Sequence, residues 1–303
     1  MKLKDKLIKK NQIGLPIKLQ SIRNFNKSAR KFNDSDVLYS EIRKRLLDRL
    51  IFFNLNPQLI LDIGSATGKG AVNLSEIFPE SEIIAIDNSI NMNKLSSSSY
   101  SKVDNINVLL GDAEKLPIRD NCVDLVFANL LLPWCNIDFV FNEISRTLKN
   151  GGLFLFSSFG PDTLVELRRA WHSIDDYIHV HAFFDMHDIG DILLKFNLVD
   201  PVLDVNKIYI NYDNITKLIS DIKGCGASNV AQGKRTSLTG KDKWKSFCSN
   251  FELNRENSKL NVTIEAIFGH AWCIEKKEKY GDLDTQVISL EGIMDYKKNN
   301  RKK

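Results

Sequence analysis

The chain has 303 residues, 43% hydrophobic, 26% charged and 9% aromatic, values that exclude a mostly disordered, collagen-like or coiled-coil protein. No apolar run reaches the roughly 18 residues of a membrane-spanning helix, so the sequence predicts a soluble, cytoplasmic protein that does not engage a membrane. The net charge of +4 is set by the two ends: residues 1–20 carry +5 and 297–303 another +5, which leaves 21–296 at −6.

In chain order, residues 1–23 read as a basic leader without the apolar core of a secretory signal. One domain follows over 24–275, and 276–303 reads as a polar basic tail. Asp36 to Phe53 reads as an amphipathic helix with Val37, Ile42, Leu46, Leu47 and Leu50 on one side. From 57 to 160, short apolar runs alternate with helical patterns, the signature of a parallel α/β sheet. Its strands are Leu59 to Ile63, Ile83 to Asp87, Ile106 to Leu110, Val123 to Ala128 and Leu153 to Phe159. A helix through Val72, Leu74 and Ile77 follows the first strand, and another through Phe139, Val140, Ile144 and Leu148 precedes the fifth, ended by Lys149 to Gly152. Asp162 to Trp171 and Asp185 to Leu194 read as helices, Pro201 to Ile210 as a sixth strand, and Val262 to Cys273 as a seventh beside it. Between the last two lies a largely helical insertion, 213–260.

Five cysteines without a C-x-x-C pair argue against a disulfide framework or a zinc site, and no metal is expected. The strongest local signal is Asp62-Ile63-Gly64-Ser65-Ala66-Thr67-Gly68-Lys69-Gly70, between the first strand and the first core helix. Glycines there let the backbone turn sharply and approach a ligand, while the helix N-terminus offers free N–H groups. The spacing does not match the dinucleotide fingerprint G-x-G-x-x-G. Asp87 ends the second strand, where a carboxylate can accept both hydroxyls of a ribose. Gly111-Asp112-Ala113 follows the third strand and Asn129 the fourth, so polar groups recur at successive strand ends.

The D-x-G-x-x-x-G turn resembles the first motif of class I S-adenosylmethionine-dependent methyltransferases. The resemblance implies an α/β, Rossmann-like seven-stranded sheet with an N-terminal helical segment and a helical lid inserted between the last two strands. It implies S-adenosylmethionine as methyl donor, held by Asp62 near its amino-acid end, by Gly64, Ala66 and Gly68 around its sulfonium and ribose, by Asp87, by Asp112 and Ala113 at its adenine, and by Asn129.

Beyond residue 129 the resemblance narrows. Leu132-Pro133-Trp134-Cys135, Ser158 to Thr163 with Glu166-Leu167-Arg168, Phe184 to Asp191, Asp200 to Asp204, Gly226 to Asn229, Leu238 to Lys241 and Gly269-His270-Ala271-Trp272 are similar to the malonyl-acyl carrier protein O-methyltransferases of biotin synthesis. The family departs from this chain at Ala66, where glycine is usual, at Phe32, where tyrosine is usual, and at His181, where asparagine is common. The implied reaction methylates the free carboxylate of a malonyl thioester on acyl carrier protein or coenzyme A. That carboxylate is ionised at neutral pH, so no general base is needed and a dry, aligning pocket suffices. Trp134 and Phe159, with Phe183 and Phe184, are the expected walls. His187 and Arg235, with Arg168 and Arg169, are the expected groups that orient the acceptor.

The one basic stretch of the body is 207–260, with ten Lys and Arg against five acids, and Lys241, Lys243 and Lys245 within it are expected to meet an acidic carrier. Nucleic acid is disfavoured as a partner, because 21–206 holds 18 basic against 25 acidic residues. Methylation of a quinone or other small acceptor, modification of a protein arginine as in respiratory complex I assembly factors, and a non-catalytic cofactor-binding scaffold remain as alternatives. Oligomeric state is open.

Overall fold

The computed structural model describes residues 14–100 and 103–274. The expected tail and most of the expected basic leader lie outside the described residues. Strands β1 (Leu59–Ile63), β2 (Glu82–Asp87), β3 (Ile106–Leu110), β4 (Val123–Asn129), β5 (Leu148–Phe159), β6 (Leu198–Tyr212) and β8 (Lys259–Cys273) form one sheet in the order β3-β2-β1-β4-β5-β8-β6. A short β7 (Arg255–Glu256) pairs with β8 alone. Strands β1 to β5 are parallel, and β8 runs antiparallel between β5 and β6.

The apolar runs reflect a sheet buried on both faces. Ile60, Leu125, Phe127 and Leu155 enter one core, while their neighbours Leu61, Val126, Phe154 and Phe156 enter the other. The first core is covered by α1 (Lys18–Ser35), α2 (Val37–Asp48), α3 (Lys69–Ile77) and α4 (Ile90–Ser99), the second by α5 (Ile137–Thr147) and α7 (Met186–Lys195). Helix α6 (Val165–His172) follows β5, and α8 (Ile215–Gly224) and α9 (Lys241–Glu252) make up the insertion. Asn136, Asp185 and Asn214 start α5, α7 and α8 by accepting backbone N–H bonds, as N-cap residues do.

β5 pairs with β8 only as far as Phe159 opposite Ala266, whereas β6 and β8 stay paired to Tyr212 opposite Leu260. The two strands therefore run past the sheet as an arm, and the arm carries the insertion.

Two sequence expectations need correction, and two helices are not readable from periodicity. Residues 14–23 are not a solvated leader: Pro16 pairs antiparallel with Ala231, and α1 starts at Lys18. The helix expected over Asp36 to Phe53 ends at Asp48 and continues as a 3-10 turn, Arg49–Phe52, while Val37 faces outward, 79% exposed. Helices α1 and α4 escape the apolar-periodicity test because small polar residues fill their buried positions: Ser21 and Ser28 in α1, Asn93 and Ser96 in α4.

Candidate active site

A cleft of about 950 Å³, open mouth included, lies at the carboxyl ends of β1, β2 and β4, where the strand order reverses about β1. Asp62 reaches it from β1, buried, and its Oδ2 has no partner. Burial pushes the Asp62 carboxyl up to about 7, against the opposing pull of nearby Arg43 and the Ala71 N–H. Ser65 Oγ in the following turn is also buried without a partner. Gly70 keeps the Asp62 carboxylate clear: a Cβ at that position would lie 2.6 Å from Oδ2. Gly64 lines the cleft at φ +71, whereas Gly68, at φ +83, does not; its missing side chain lets α3 pass close to Ser96 and Tyr100 of the α4 region.

Ala66 adopts φ +48, a left-handed conformation that disfavours any Cβ. Its N–H donates to Asp87 Oδ2 at 2.9 Å, and the Ser89 N–H donates to Asp87 Oδ1 at 2.7 Å. The backbone thus holds the Asp87 carboxylate at the cleft, with the Asn88 N–H as a further donor and acceptor capacity still to spare. Asn129 also lines the cleft, accepting from Ser157 Oγ at 2.9 Å and donating to the Tyr39 carbonyl at 3.2 Å. Asp112 departs from expectation. Its neighbours Gly111 and Ala113 line the cleft, but Asp112 itself is held by Lys18 Nζ, 2.5 Å from Oδ2, and by the Glu114 N–H.

Among the described residues, six that line the cleft come from the N-terminal helices, Lys18, Ser21, Phe25, Phe32, Tyr39 and Arg43, of which sequence reasoning singles out Phe32 alone. Lys18 bridges Asp112 and Glu114 across the mouth. Arg43 faces the cleft from α2, tied to Asn73 and Ser40 at 3.2 and 3.0 Å. Tyr39 lines it one turn earlier. The available signal was a cation within the Tyr39, Ile42, Arg43, Leu46 stripe, the buried side of α2. A buried carboxylate with an open oxygen, a hydroxyl without a partner and a half-buried guanidinium have the chemistry that would suit the amino-acid end of S-adenosylmethionine.

Tyr39 and Trp134 also line a second chamber of about 2220 Å³, mouth included. Its walls are mainly apolar: Phe159 at the end of β5, Leu167 and Trp171 on α6, Ile210 on the arm, Leu218 and Phe247 on the insertion. Left-handed Leu130 lines the cleft and left-handed Leu164 the chamber, so with Ala66 strained backbone gathers at both. The chamber is closed by distant segments. Ile17 N–H donates to the Val230 carbonyl at 2.9 Å and Gln232 N–H to the Leu15 carbonyl at 2.8 Å. His181 Nε2 accepts from the Val230 N–H at 2.9 Å, which fixes the ring as a neutral acceptor, and burial lowers its pKa to about 4. Asp175 receives His179, Lys243 and Arg235 at 2.7, 3.0 and 3.3 Å, pinning the α9 side of the insertion to the segment after α6.

The structure sorts the expected acceptor-side residues. Trp134 is on the wall common to both spaces and Phe159 and Phe183 line the chamber, while Phe184 lines only a small pocket behind it. His187 is not brought there: it sits exposed at the start of α7, bonded to its own N-cap, Asp185. Arg235 is spent on Asp175 and lies over the Tyr177 ring, Arg168 donates to the Thr163 carbonyl, and Arg169 is exposed. None of these four cations lines the cleft or the chamber. Among the described residues no cluster of histidine, cysteine and carboxylates could hold a metal ion, and no helix is long and apolar enough to cross a membrane.

Residues 61–156 match a family described as a methyltransferase domain. The malonyl-[acyl-carrier protein] O-methyltransferase of Nitrosospira multiformis is 38% identical over 265 residues, covering 82% of this chain and 86% of the relative. Malonyl-[acyl-carrier protein] O-methyltransferase 1 of Coxiella burnetii is 38% identical over 250 residues, covering 82% and 85%. Among solved structures, the YcgJ protein of Bacillus subtilis superposes with a TM-score of 0.56 at 21% identity, covering 76% of this chain and 98% of that one, a likeness of fold.

Proposed function

The chain belongs to the malonyl-[acyl-carrier protein] O-methyltransferases, and from that premise we infer how its two cavities divide the reaction. It is an S-adenosylmethionine-dependent O-methyltransferase that esterifies the free carboxylate of a malonyl thioester carried on acyl carrier protein. When bound, S-adenosylmethionine supplies a methyl group on a positively charged sulfur. The observation that carries the assignment of the cavities is the wall common to both: a polar cleft on one side, an apolar chamber on the other, and Tyr39 and Trp134 between them.

Asp62 and Arg43 hold the amino-acid end of the donor, Asp87 its ribose, and Gly64, Ala66 and Ala113 shape the cleft around it. The chamber takes the thioester arm. Its apolar walls exclude water, and water would otherwise stabilise the separated carboxylate and sulfonium charges more than the charge-dispersed transition state. With the donor held in the cleft, the carboxylate oxygen would form the bond to the methyl carbon as the sulfur–carbon bond broke, its electron pair returning to sulfur. No protein proton moves, because the acceptor carboxylate is already ionised.

The carrier docks beside the insertion. Lys241 and Lys245 are exposed and have no ionic partner among the described residues, whereas Lys243 is engaged by Asp175. An acidic carrier met there would feed its arm toward the chamber. The product's place in biotin synthesis follows from the resemblance in sequence.

Incubation of the purified protein with S-adenosylmethionine and malonyl-acyl carrier protein, read by mass spectrometry, tests the activity. The expected result is a gain of one methyl group that an esterase removes. No gain on the carrier, with methylation of a quinone or a protein arginine instead, overturns it.

A further inference from the structure

The wall between the cavities carries two hydrogen-bond donors that the protein leaves unused. Tyr39 Oη and Trp134 Nε1 are both buried and neither has a partner among the described residues. A buried donor without an acceptor is a standing cost to the fold, and native structures keep few of them. Both side chains are otherwise well fixed. The Tyr39 ring packs edge-on against Phe32 at 5.5 Å, its carbonyl is tied to Asn129, and the Trp134 indole is clamped between Phe25 and His181, each 5.0 Å away. Rigid residues that line both cavities and carry unused donors are placed to meet a substrate.

The chemistry of the surroundings selects which one. On the cleft side, Asp62, Ser65 and Arg43 already offer a full set of charged and polar groups to the donor molecule. On the chamber side, His179 is committed to Asp175, Lys217 to Asp221, Asp213 to Lys259 and His181 to the Val230 N–H, while Asp34 and Lys223, which also line it, are exposed. An anion that reaches the wall common to the two cavities meets neutral donors there, since of the chamber's lysines Lys217 is paired and Lys223 is exposed. Burial, with the Cys225 thiol nearby, holds the Tyr39 phenol well above its ordinary range, so it stays a donor.

We propose that the Tyr39 hydroxyl and the Trp134 indole N–H form a neutral subsite for the acceptor's carboxylate, the groups that orient it toward the methyl donor. The inference rests on the reading of the acceptor as a malonyl thioester. Neutral donors suit the task. A guanidinium or ammonium at this position would bind the carboxylate tightly and lower its nucleophilicity, whereas two uncharged hydrogen bonds align it and leave the charge available for attack. The subsite takes over the role that the sequence assigned to His187 and Arg235.

The test uses the whole chain saturated with S-adenosylhomocysteine, titrated calorimetrically with malonyl-pantetheine and with acetyl-pantetheine, which lacks the carboxylate. Wild-type protein is expected to prefer the malonyl probe. Tyr39→Phe removes the hydroxyl and keeps the ring, Trp134→Phe removes the N–H and leaves a smaller aromatic ring, and each is expected to lose about 10- to 100-fold in malonyl affinity, the range of a hydrogen bond to a charged group. Acetyl affinity is expected to stay within about twofold, which a general loss of structure would not allow. Malonyl preference retained in both variants overturns the subsite alone. Equal losses for both probes overturn it too, placing the donors on the thioester. Wild-type protein indifferent to the malonyl carboxylate overturns the acceptor assignment itself, and the subsite with it.

Discussion

Lys18 Nζ, at the first position of α1, lies 2.5 Å from Asp112 Oδ2, at the far rim of the cofactor cleft, and 2.7 Å from Glu114. The pair spans the mouth, because Lys18, Ser21 and Phe25 of α1 all line the cleft. Lys18→Met should leave the cradle intact and loosen its cover. S-adenosylhomocysteine is expected to enter and leave about 3- to 10-fold faster, consistent with a partly exposed ion pair. Stopped-flow fluorescence of Trp134 measures both rates. High salt should accelerate the wild type and not the variant, and unchanged rates in Lys18→Met would remove the latch from the account.

Asp62 makes cofactor affinity depend on pH. Its carboxyl titrates at about 7 in the folded protein because it is buried. The cofactor's ammonium selects the anion, so affinity should fall by about tenfold per pH unit below that value and level off above it. For the free protein the sign is opposite. A folded pKa above the unfolded one contributes stability that is full below about 3.9 and is lost as pH rises through about 7. The thermal shift caused by S-adenosylhomocysteine should therefore be larger at about pH 8 than at about pH 6, and Asp62→Asn should show a smaller, flat response.

Ala66 carries a methyl group where the backbone is left-handed, at φ +48. Ala66→Gly is expected to stabilise the protein by about 1 kcal/mol, the relief of the steric cost less the added freedom of the unfolded chain. Its N–H bond to Asp87 is a backbone bond and survives the change. Urea denaturation should show a higher midpoint at unchanged slope; a lower midpoint would mean that the methyl packs favourably.

His181 is buried as a neutral acceptor for the Val230 N–H, and its pKa falls from 6.5 to about 4. A histidine with a lowered folded pKa gives its full contribution above 6.5 and loses it as pH falls toward 4, because the unfolded chain takes up the proton first. His181→Asn offers a carbonyl oxygen to the same N–H and does not titrate. The variant should match wild type at about pH 8 and lose less stability than wild type on acidification. Parallel stability curves would show that His181 does not govern this range.

Lys241→Glu with Lys245→Glu should raise the KM for the malonyl carrier several-fold at low salt and leave that for malonyl-pantetheine unchanged, since neither lysine has an ionic partner to lose among the described residues. Lys243→Glu is a different experiment: it breaks the bond to Asp175 and should lower stability. A carrier KM that ignores the double reversal moves the docking surface elsewhere.

The β-strand alternation, the glycine turn and the acids at strand ends were readable because each is a local pattern, and Asp62, Gly64, Ala66, Asp87, Ala113 and Asn129 all border the cleft. Asp112 was placed at the correct strand end, but its partner Lys18 is distant in the chain and no local pattern links them. Tyr39 and Arg43 were hidden differently. The stripe on α2 marks them as inward-facing, but which cavity they face depends on how α2 crosses the sheet end. His187 misled because its surroundings matched the family pattern while its side chain serves its own helix cap.

The strand bridge between Pro16 and Ala231 also dictates an order of assembly. All the strands that hold the donor's cradle, and the sheet edge behind it, precede residue 160. During synthesis the cradle can close long before the insertion leaves the ribosome, whereas the strap at Gly14 to Ile17 must wait for Val230 to Gln232 to emerge. A growing chain thus acquires its methyl-donor site first and its acceptor chamber last, and Gly14 to Ile17, made early, are among the latest residues to find their partners.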